Sequence, residues 1–115
     1  MGSIVILRLQ GEIVRGQTST LCNAVHALPD VGTVVLDLSG VTAVDAGGLG
    51  AMLELRGEME SRGIHFELMN PTQWVSMVLE VSRLNNVFRV TSAAEIFQSV
   101  SRSLGATHAA LAPCA

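Results

Sequence analysis

The sequence predicts a single α/β domain with a largely parallel sheet. Strand-like and helix-like segments alternate four times along the 115 residues, and such alternation is typical of parallel strands joined by right-handed crossovers. Residues 33–38 form an apolar run between two glycines, which indicates a strand buried on both faces. With 49% apolar and 15% charged residues, a chain of this length can bury one core.

The first half of the chain contains two predicted strands and two predicted helices. Residues 3–10 are β-branched and apolar on alternate positions, which predicts a strand. Residues 18–28 carry apolar side chains at helical spacing and predict the first helix. After the strand at 33–38, the second helix is predicted over 48–62, where Gly63 suits the left-handed residue that follows a helix.

The second half opens with another strand and a helix. Residues 64–68 alternate between apolar and polar side chains, so we expect a strand with one exposed face. A helix should follow to about residue 83. Asn70 is its expected cap, Pro71 its first residue, and Gln73 the residue that reaches back in a capping box.

The last predicted elements are a short strand and a helix. Residues 86–90 predict the strand, and Ser92 with Glu95 forms a capping box that opens a helix ending before Gly105. We therefore expect one domain over residues 1–104. Residues 105–115 have no clear period, so a flexible C-terminal tail is expected there.

Composition excludes several classes of function. Seven basic and ten acidic residues give a net charge of −3 and form no basic run, so nucleic-acid binding is not expected. Two cysteines are too few for a disulfide framework. No apolar run reaches the roughly 18 residues of a membrane span, and no signal-peptide pattern occurs. A cytoplasmic location is expected.

Catalytic motifs are missing from the sequence. The histidines at 26, 65 and 108 fall on a helix, a strand and the tail, so neither a catalytic triad nor a metal site is predicted, and His65 is best explained as a solvated strand residue. The glycines at 47–50 do not match a dinucleotide fingerprint, which makes nucleotide binding the weakest hypothesis. We predict a protein that is not an enzyme and has no cofactor.

The turn between the second strand and the second helix is a candidate binding site. Asp45, Ala46, Gly47 and Gly48 connect them, at the edge of a parallel sheet where ligands and partners usually bind. Free amides at a helix start favour an acidic partner group, and glycines permit close approach. The alternative is purely structural, with Asp45 capping the helix and the glycines allowing a tight turn.

The same region resembles the STAS domains, a group that includes bacterial anti-sigma-factor antagonists. Residues 34–53 read VVLDLSGVTAVDAGGLGAML and resemble the family pattern of a strand, DLSGV and a DSSGLG turn. Residues 7–14, LRLQGEIV, are similar to the strand and GEID that precede it. Residues 68–88, LMNPTQWVSMVLEVSRLNNVF, and SAAEIF at 92–97 also fit, so the resemblance covers roughly residues 4–104.

The resemblance implies a fold, a partner and no enzymatic activity. The fold is a mixed sheet flanked by four helices. The implied partner is an anti-sigma factor of the histidine-kinase ATPase type, which the antagonist binds to release a sigma factor. That kinase inactivates antagonists by phosphorylating the second serine of DSSG. A phosphate would add about −1.5 to −2 charges and disrupt a close contact.

Two positions depart from the family pattern. The phospho-acceptor position falls on Gly47, which carries no hydroxyl, and Val14 stands where GEID has its aspartate. The chain therefore cannot be phosphorylated at the usual position. Whether Ser39, Thr42 or Thr72 replaces it stays open.

A second candidate contact site lies in the third helix. Trp74 and Met77 align with family positions that are usually polar or basic, and their i,i+3 spacing places them on one patch. Both residue types are enriched in interfaces. The alternative is that Trp74 folds over the core edge or over the tail.

The resemblance implies two alternative functions. The first is an antagonist-like, non-catalytic regulatory domain that binds an anti-sigma factor through Asp45, Ala46, Gly47, Gly48, Trp74 and Met77. The second is a STAS subunit of an ABC transporter of the lipid-transport type, bound to the transporter ATPase. That branch often lacks the acceptor serine. A homodimer is possible in either case.

Overall fold

The computed structural model describes residues 3–92, 94–96 and 107–113. In chain order the elements are β1 (Ile4–Ile13), α1 (Ser19–His26), β2 (Thr33–Val44), α2 (Ala46–Ser61), β3 (His65–Met69), α3 (Gln73–Val81), a 3-10 turn (Leu84–Asn86), β4 (Arg89–Thr91) and β5 (Thr107–Pro113). Residues 94–96 are also helical.

The five strands form one sheet in the order β4-β3-β2-β1-β5. The pairings between neighbouring strands are parallel, where the family resemblance implied a mixed sheet. Parallel neighbours require crossovers, and α1, α2 and α3 supply the three between β1 and β4. The α/β fold class predicted from the sequence is confirmed.

The two faces of the sheet carry cores of unequal size. The larger core joins alternate residues of β1, β2 and β3 to the buried sides of α1, α2 and α3. On the opposite face, Ile4, Val35 and Met69 pack with Ile96 in a smaller cluster. Successive side chains of a strand point to opposite faces, and the unbroken run of buried residues from Val34 to Leu38 shows that this part of β2 is covered on both faces, as predicted. All three complete helices therefore lie on one face, and their N-termini meet one edge.

Both long strands extend beyond their predicted ends. The sequence predicts strands at 3–10 and 33–38, whereas β1 runs to Ile13 and β2 to Val44. Their pairing continues through register shifts near Gln10 and Gly11, where bulges accommodate extra residues. The pairing of β1 with β2 therefore keeps Ser39 and Gly40 in the strand, although these residue types favour a turn.

The starts of α2 and α3 correct two sequence predictions. Helix α2 begins at Ala46 rather than Gly48. Helix α3 is capped by Thr72, whose hydroxyl accepts a hydrogen bond from the Val75 amide at 3.3 Å. Asn70, the predicted cap, instead adopts a left-handed φ of 51°. Pro71, the predicted first residue, therefore precedes the cap, and Gln73 is the first helical residue rather than the third.

The C-terminal segment is also different from the prediction. The predicted cap of the last helix is present, since the Glu95 amide donates to Ser92 Oγ at 3.2 Å. The rest of that predicted helix, 97–104, lies outside the described residues. Residues 107–113, expected in a flexible tail, form β5 and pair with β1 from Ile4 to Gln10. Small residues without a period can form a strand when a neighbouring strand supplies the hydrogen bonds.

Candidate functional site

The turn at Asp45 lies at the carboxyl edge of the sheet. β2 ends at Val44 and α2 begins at Ala46, so a single residue separates them. The Asp45 backbone is extended, with φ −115° and ψ −177°, as expected for a helix N-cap. Its amide donates to Ile13 O at 3.4 Å. The turn is therefore attached to the end of β1 as well as to β2.

The Asp45 carboxylate holds two segments of backbone together. Its Oδ1 accepts a hydrogen bond from the Gly48 amide at 2.8 Å, within α2. The Arg15 amide, in the loop after β1, donates to Oδ1 at 3.0 Å and to Oδ2 at 3.1 Å. An ionised carboxylate is a strong acceptor for such amides. Asp45 thus caps α2, as one interpretation expected, and also fixes the β1–α1 loop.

The two glycines of the turn are closely approached by backbone. A Cβ on Gly48 would lie 1.9 Å from Ile13 O, and a Cβ on Gly47 would lie 2.6 Å from Arg15 Cβ and 3.0 Å from Arg15 Cα. Gly48 is buried, whereas Asp45 and Ala46 are exposed. A side chain at either position would force the neighbouring chain to shift, and Ala46 is the exposed side chain that follows the cap.

The hydroxyls considered as replacement phosphorylation sites lie around this edge. Thr42 Oγ1 donates to Gly11 O at 3.2 Å, and Thr72 Oγ1 donates to Val41 O at 3.3 Å. Ser39 is exposed. Each of the two threonine hydroxyls is therefore engaged in a hydrogen bond to a backbone carbonyl.

Helix α3 presents an apolar stripe to solvent. Trp74 is 53% exposed and Met77 is 46% exposed, so the tryptophan does not fold fully onto the core. Val81, which is 80% exposed, continues the patch at i+7 from Trp74. The stripe of Trp74, Met77 and Val81 lies beside the buried positions Val75 and Leu79.

The turn and the start of α3 lie at the same edge of the sheet. The Thr72 hydroxyl connects the N-terminus of α3 to Val41, four residues before Asp45. Trp74 is the second residue of α3, so it lies on the first turn of that helix. The structure therefore brings Asp45, Ala46 and Trp74 to one edge, while Met77 and Val81 lead away from it along α3.

Sequence reasoning missed two residues of this surface. Arg15 was not singled out, because its part is played by a backbone amide that no motif reveals. Val81 was also missed, although its spacing from Trp74 and Met77 is visible in the sequence. A search for apolar residues outside the buried stripe of the helix would have found Val81.

Other reactive groups lie away from this edge. Nε2 of His26 lies 2.7 Å from Glu58 Oε2, linking α1 to α2. Burial, then the nearby charges of Glu58 and Glu54, raise the pKa of the Cys22 thiol, which keeps it protonated at neutral pH. His65 is exposed on β3, as predicted.

The described residues contain neither a metal-binding cluster nor a helix suited to cross a membrane. Among residues 3–92, 94–96 and 107–113, no three His, Cys, Asp or Glu side chains are grouped so that they could hold a metal ion. In that same part of the chain, none of the helices combines the length and apolar character needed to cross a membrane.

Acid is expected to weaken the link that Asp45 makes. The amides of Gly48 and Arg15 hold the pKa of the Asp45 carboxyl below its ordinary value of 3.8. Because the folded pKa is the lower one, the stabilisation is complete above the unfolded pKa and is lost as the pH falls through the folded pKa. Asp45→Asn, which removes the ionisable group, should lower the Tm most at neutral pH.

Thermal unfolding of the wild type and Asp45→Asn across a pH series checks this expectation. The difference in Tm between the two proteins should be constant above about pH 5 and should narrow below about pH 4. A difference that does not change with pH would show that ionisation of Asp45 is not what stabilises the turn.

Comparisons with known proteins agree on the family and the fold. A family model described as "Mlab, STAS domain" matches residues 2–92. A sulfate transporter family protein from Wolinella succinogenes has a TM-score of 0.74 at 16% identity, covering 90% of this chain and 88% of that chain. The STAS domain of a SulP transporter from Vibrio cholerae has a TM-score of 0.64 at 15% identity, covering 88% and 80% respectively.

A third solved structure is the anti-sigma factor antagonist SpoIIAA in its unphosphorylated form. It has a TM-score of 0.63 at 22% identity, covering 84% of this chain and 87% of that chain. At these identities the three structures establish the fold alone. The family model spans β1 to β4 together with the turn at Asp45, so the resemblance seen in the sequence is confirmed and the chain belongs to the STAS family.

Proposed function

We propose that this chain is a non-catalytic regulatory domain that binds a kinase-fold anti-sigma factor through the carboxyl edge of its sheet. The contact surface comprises the turn from Asp45 to Gly48 and two exposed residues of the stripe on α3, Trp74 and Met77. The observation that supports this proposal most is that the exposed side chains of Trp74 and Met77 lie on the helix whose start is hydrogen-bonded to β2 near the Asp45 turn. That turn is itself held by the hydrogen bond between the Gly48 amide and the Asp45 carboxylate. Tryptophan and methionine are enriched in protein interfaces.

The proposed contact is constitutive. Gly47 stands at the position where the family pattern has its phospho-acceptor serine, so no phosphate at that position can repel the partner. The binding surface is also held by backbone hydrogen bonds to Asp45. A rigid surface loses little conformational freedom on binding.

A second candidate is a permanent subunit of an ABC transporter of the lipid-transport type, bound to its ATPase. The description of the matching family model, "Mlab, STAS domain", favours this candidate, and so does the lack of a hydroxyl at Gly47. Both candidates use the same edge of the sheet. They differ in the partner protein and in whether the chain is a permanent subunit of a complex.

A tagged pull-down from the cytoplasm of the native host, analysed by mass spectrometry, separates the two candidates. Recovery of a histidine-kinase-type anti-sigma factor supports the first proposal. Recovery of a transporter ATPase overturns the first proposal and supports the second. Recovery of neither protein, with the tagged chain folded, contradicts both.

Trp74→Ala tests the surface once a partner is recovered. Affinity should fall at least about tenfold, because truncating a central interface tryptophan commonly costs 2 kcal/mol or more. The free energy of unfolding should change by less than about 1 kcal/mol, because the side chain is 53% exposed. Titration calorimetry and denaturant unfolding measure the two quantities.

Val87→Ala is the matched control for this variant. Val87 is 39% exposed and lies between the 3-10 turn and β4, outside α3, so its truncation should leave affinity unchanged. Sedimentation of both variants shows whether Trp74 instead serves a homodimer. Equal affinity of Trp74→Ala and the wild type, with equal oligomeric state, would remove α3 from the interface.

A further inference from the structure

The loop between β1 and α1 is a tight turn placed over Gly47. The Gln17 amide donates to Val14 O at 2.9 Å, and Gly16 has a φ of +84°. This hydrogen bond with a positive φ at the third residue is the pattern of a type II turn, in which glycine is strongly favoured at that position. Arg15 is the second residue of the turn, and its amide is the one that Asp45 accepts.

Closure of this turn depends on two neighbouring positions in the α2 segment. The Asp45 carboxylate supplies the acceptor for the Arg15 amide at 3.0 and 3.1 Å. Gly47 supplies the space, since a Cβ there would lie 2.6 Å from Arg15 Cβ and 3.0 Å from Arg15 Cα. These Arg15 atoms belong to or adjoin the backbone, so a side-chain rotation cannot relieve the clash.

We infer that the Val14–Gln17 turn is a latch over α2, held closed by Asp45 and by the absence of a side chain at position 47. Any side chain at position 47 displaces Arg15 and breaks its hydrogen bonds to Asp45. The turn therefore has a closed state with glycine at position 47 and an open state with any other residue. Its functional meaning rests on the proposed function, because the closed turn forms part of the binding edge.

The state of the latch determines which surface the binding edge presents to a partner. In the closed state, Arg15 covers Gly47, and the exposed surface consists of the Val14–Gln17 turn together with Asp45 and Ala46. In the open state, the same edge presents the side chain at position 47 and a displaced loop. A partner complementary to one of these surfaces does not fit the other equally well. Glycine at position 47 keeps this chain in the closed state.

Amide exchange of Arg15, measured by NMR on the isolated protein, tests the latch without any partner. Gly47→Ala should accelerate exchange of the Arg15 amide at least about tenfold, because a local opening removes its protection. Gly57→Ala is the matched control in the same helix, where a new Cβ has no atom within 4 Å. It should leave Arg15 exchange unchanged. Unchanged exchange in Gly47→Ala would overturn the inference.

A second variant opens the turn from the loop side. Gly16→Ala adds a Cβ that meets nothing within 4 Å but disfavours the positive φ of that residue. Because it leaves α2 untouched, it should fold even if Gly47→Ala does not, and it should accelerate Arg15 exchange as well. Adding Asp45→Asn to either glycine variant should give little further acceleration, since the open turn no longer uses the carboxylate.

These outcomes are separate from those of the proposed function. Unchanged exchange in Gly47→Ala, or in Gly16→Ala where Gly47→Ala does not fold, rejects the latch, whichever partner the protein binds. Accelerated exchange in a protein that recovers neither proposed partner retains the latch and rejects the binding function.

Discussion

Gly48→Ala is expected to be the most destabilising single methyl addition in the turn. Its Cβ would lie 1.9 Å from Ile13 O and 2.7 Å from Ile13 C, and both of these atoms belong to the backbone of β1. Either α2 or the end of β1 must move, which breaks the hydrogen bond between the Asp45 amide and Ile13 O. We expect a loss of about 3 kcal/mol in the free energy of unfolding, at the upper end of the usual cost of overpacking.

The sign of this effect is decided by packing and not by helix propensity. Alanine favours a helix over glycine by about 1 kcal/mol, which is smaller than the expected clash. Gly57→Ala provides the control, since its new Cβ meets nothing within 4 Å on the same helix. It should be neutral or stabilising by about 0.5 to 1 kcal/mol.

Denaturant unfolding followed by far-UV circular dichroism measures both variants. The predicted result is a pair of midpoints displaced in opposite directions from the wild type, or an unfolded Gly48→Ala protein beside a folded Gly57→Ala protein. Equal stability of the two variants would contradict the close approach of α2 to β1.

Phe66→Ala is expected to have an effect of similar size through the core. Phe66 is 1% exposed on β3, and its ring centroid lies 6.3 Å from that of Phe88. Truncation removes buried apolar surface, leaves a cavity and loses the aromatic pair. The expected cost is about 3 to 5 kcal/mol, which is a large part of the 5 to 15 kcal/mol typical of a domain.

Two controls show that the loss of volume at Phe66 is responsible. Phe66→Leu keeps most of the side-chain volume and should cost less than Phe66→Ala. Val81→Ala shortens a side chain that is 80% exposed and should change stability by less than about 0.5 kcal/mol. A loss of 3 kcal/mol or more at Val81, or a loss below 1 kcal/mol in Phe66→Ala, would contradict the described core.

The order of the elements that precede β5 could be predicted because each of them carries a local signal. Apolar alternation identified β1 and β3, the apolar run identified β2, and the Ser92 cap marked the start of the last helix. Such signals depend only on side-chain periodicity and on capping chemistry within a few residues. The ends of β1 and β2 carry no such signal, because their extension depends on pairing with each other.

The partners in ion pairs also could not be predicted from local sequence spacing. Glu58 and Arg62 have the spacing of a helical pair, but Glu58 contacts His26 of α1 and Arg62 contacts Asp30. The i,i+4 spacing makes a contact possible. Residues 32 positions earlier in the chain provide the partners actually used.

For the candidate site, the sequence by itself determined the missing hydroxyl at Gly47 and the apolar pair on α3, and it predicted the cap at Asp45 as one of two interpretations. These are properties of residue type and short-range spacing. The tertiary structure decided that Asp45 also holds Arg15, that Gly47 makes room for that residue, and that β5 joins the sheet beside β1. Those features depend on backbone groups brought together from distant parts of the chain, and a backbone amide has no signature in the sequence.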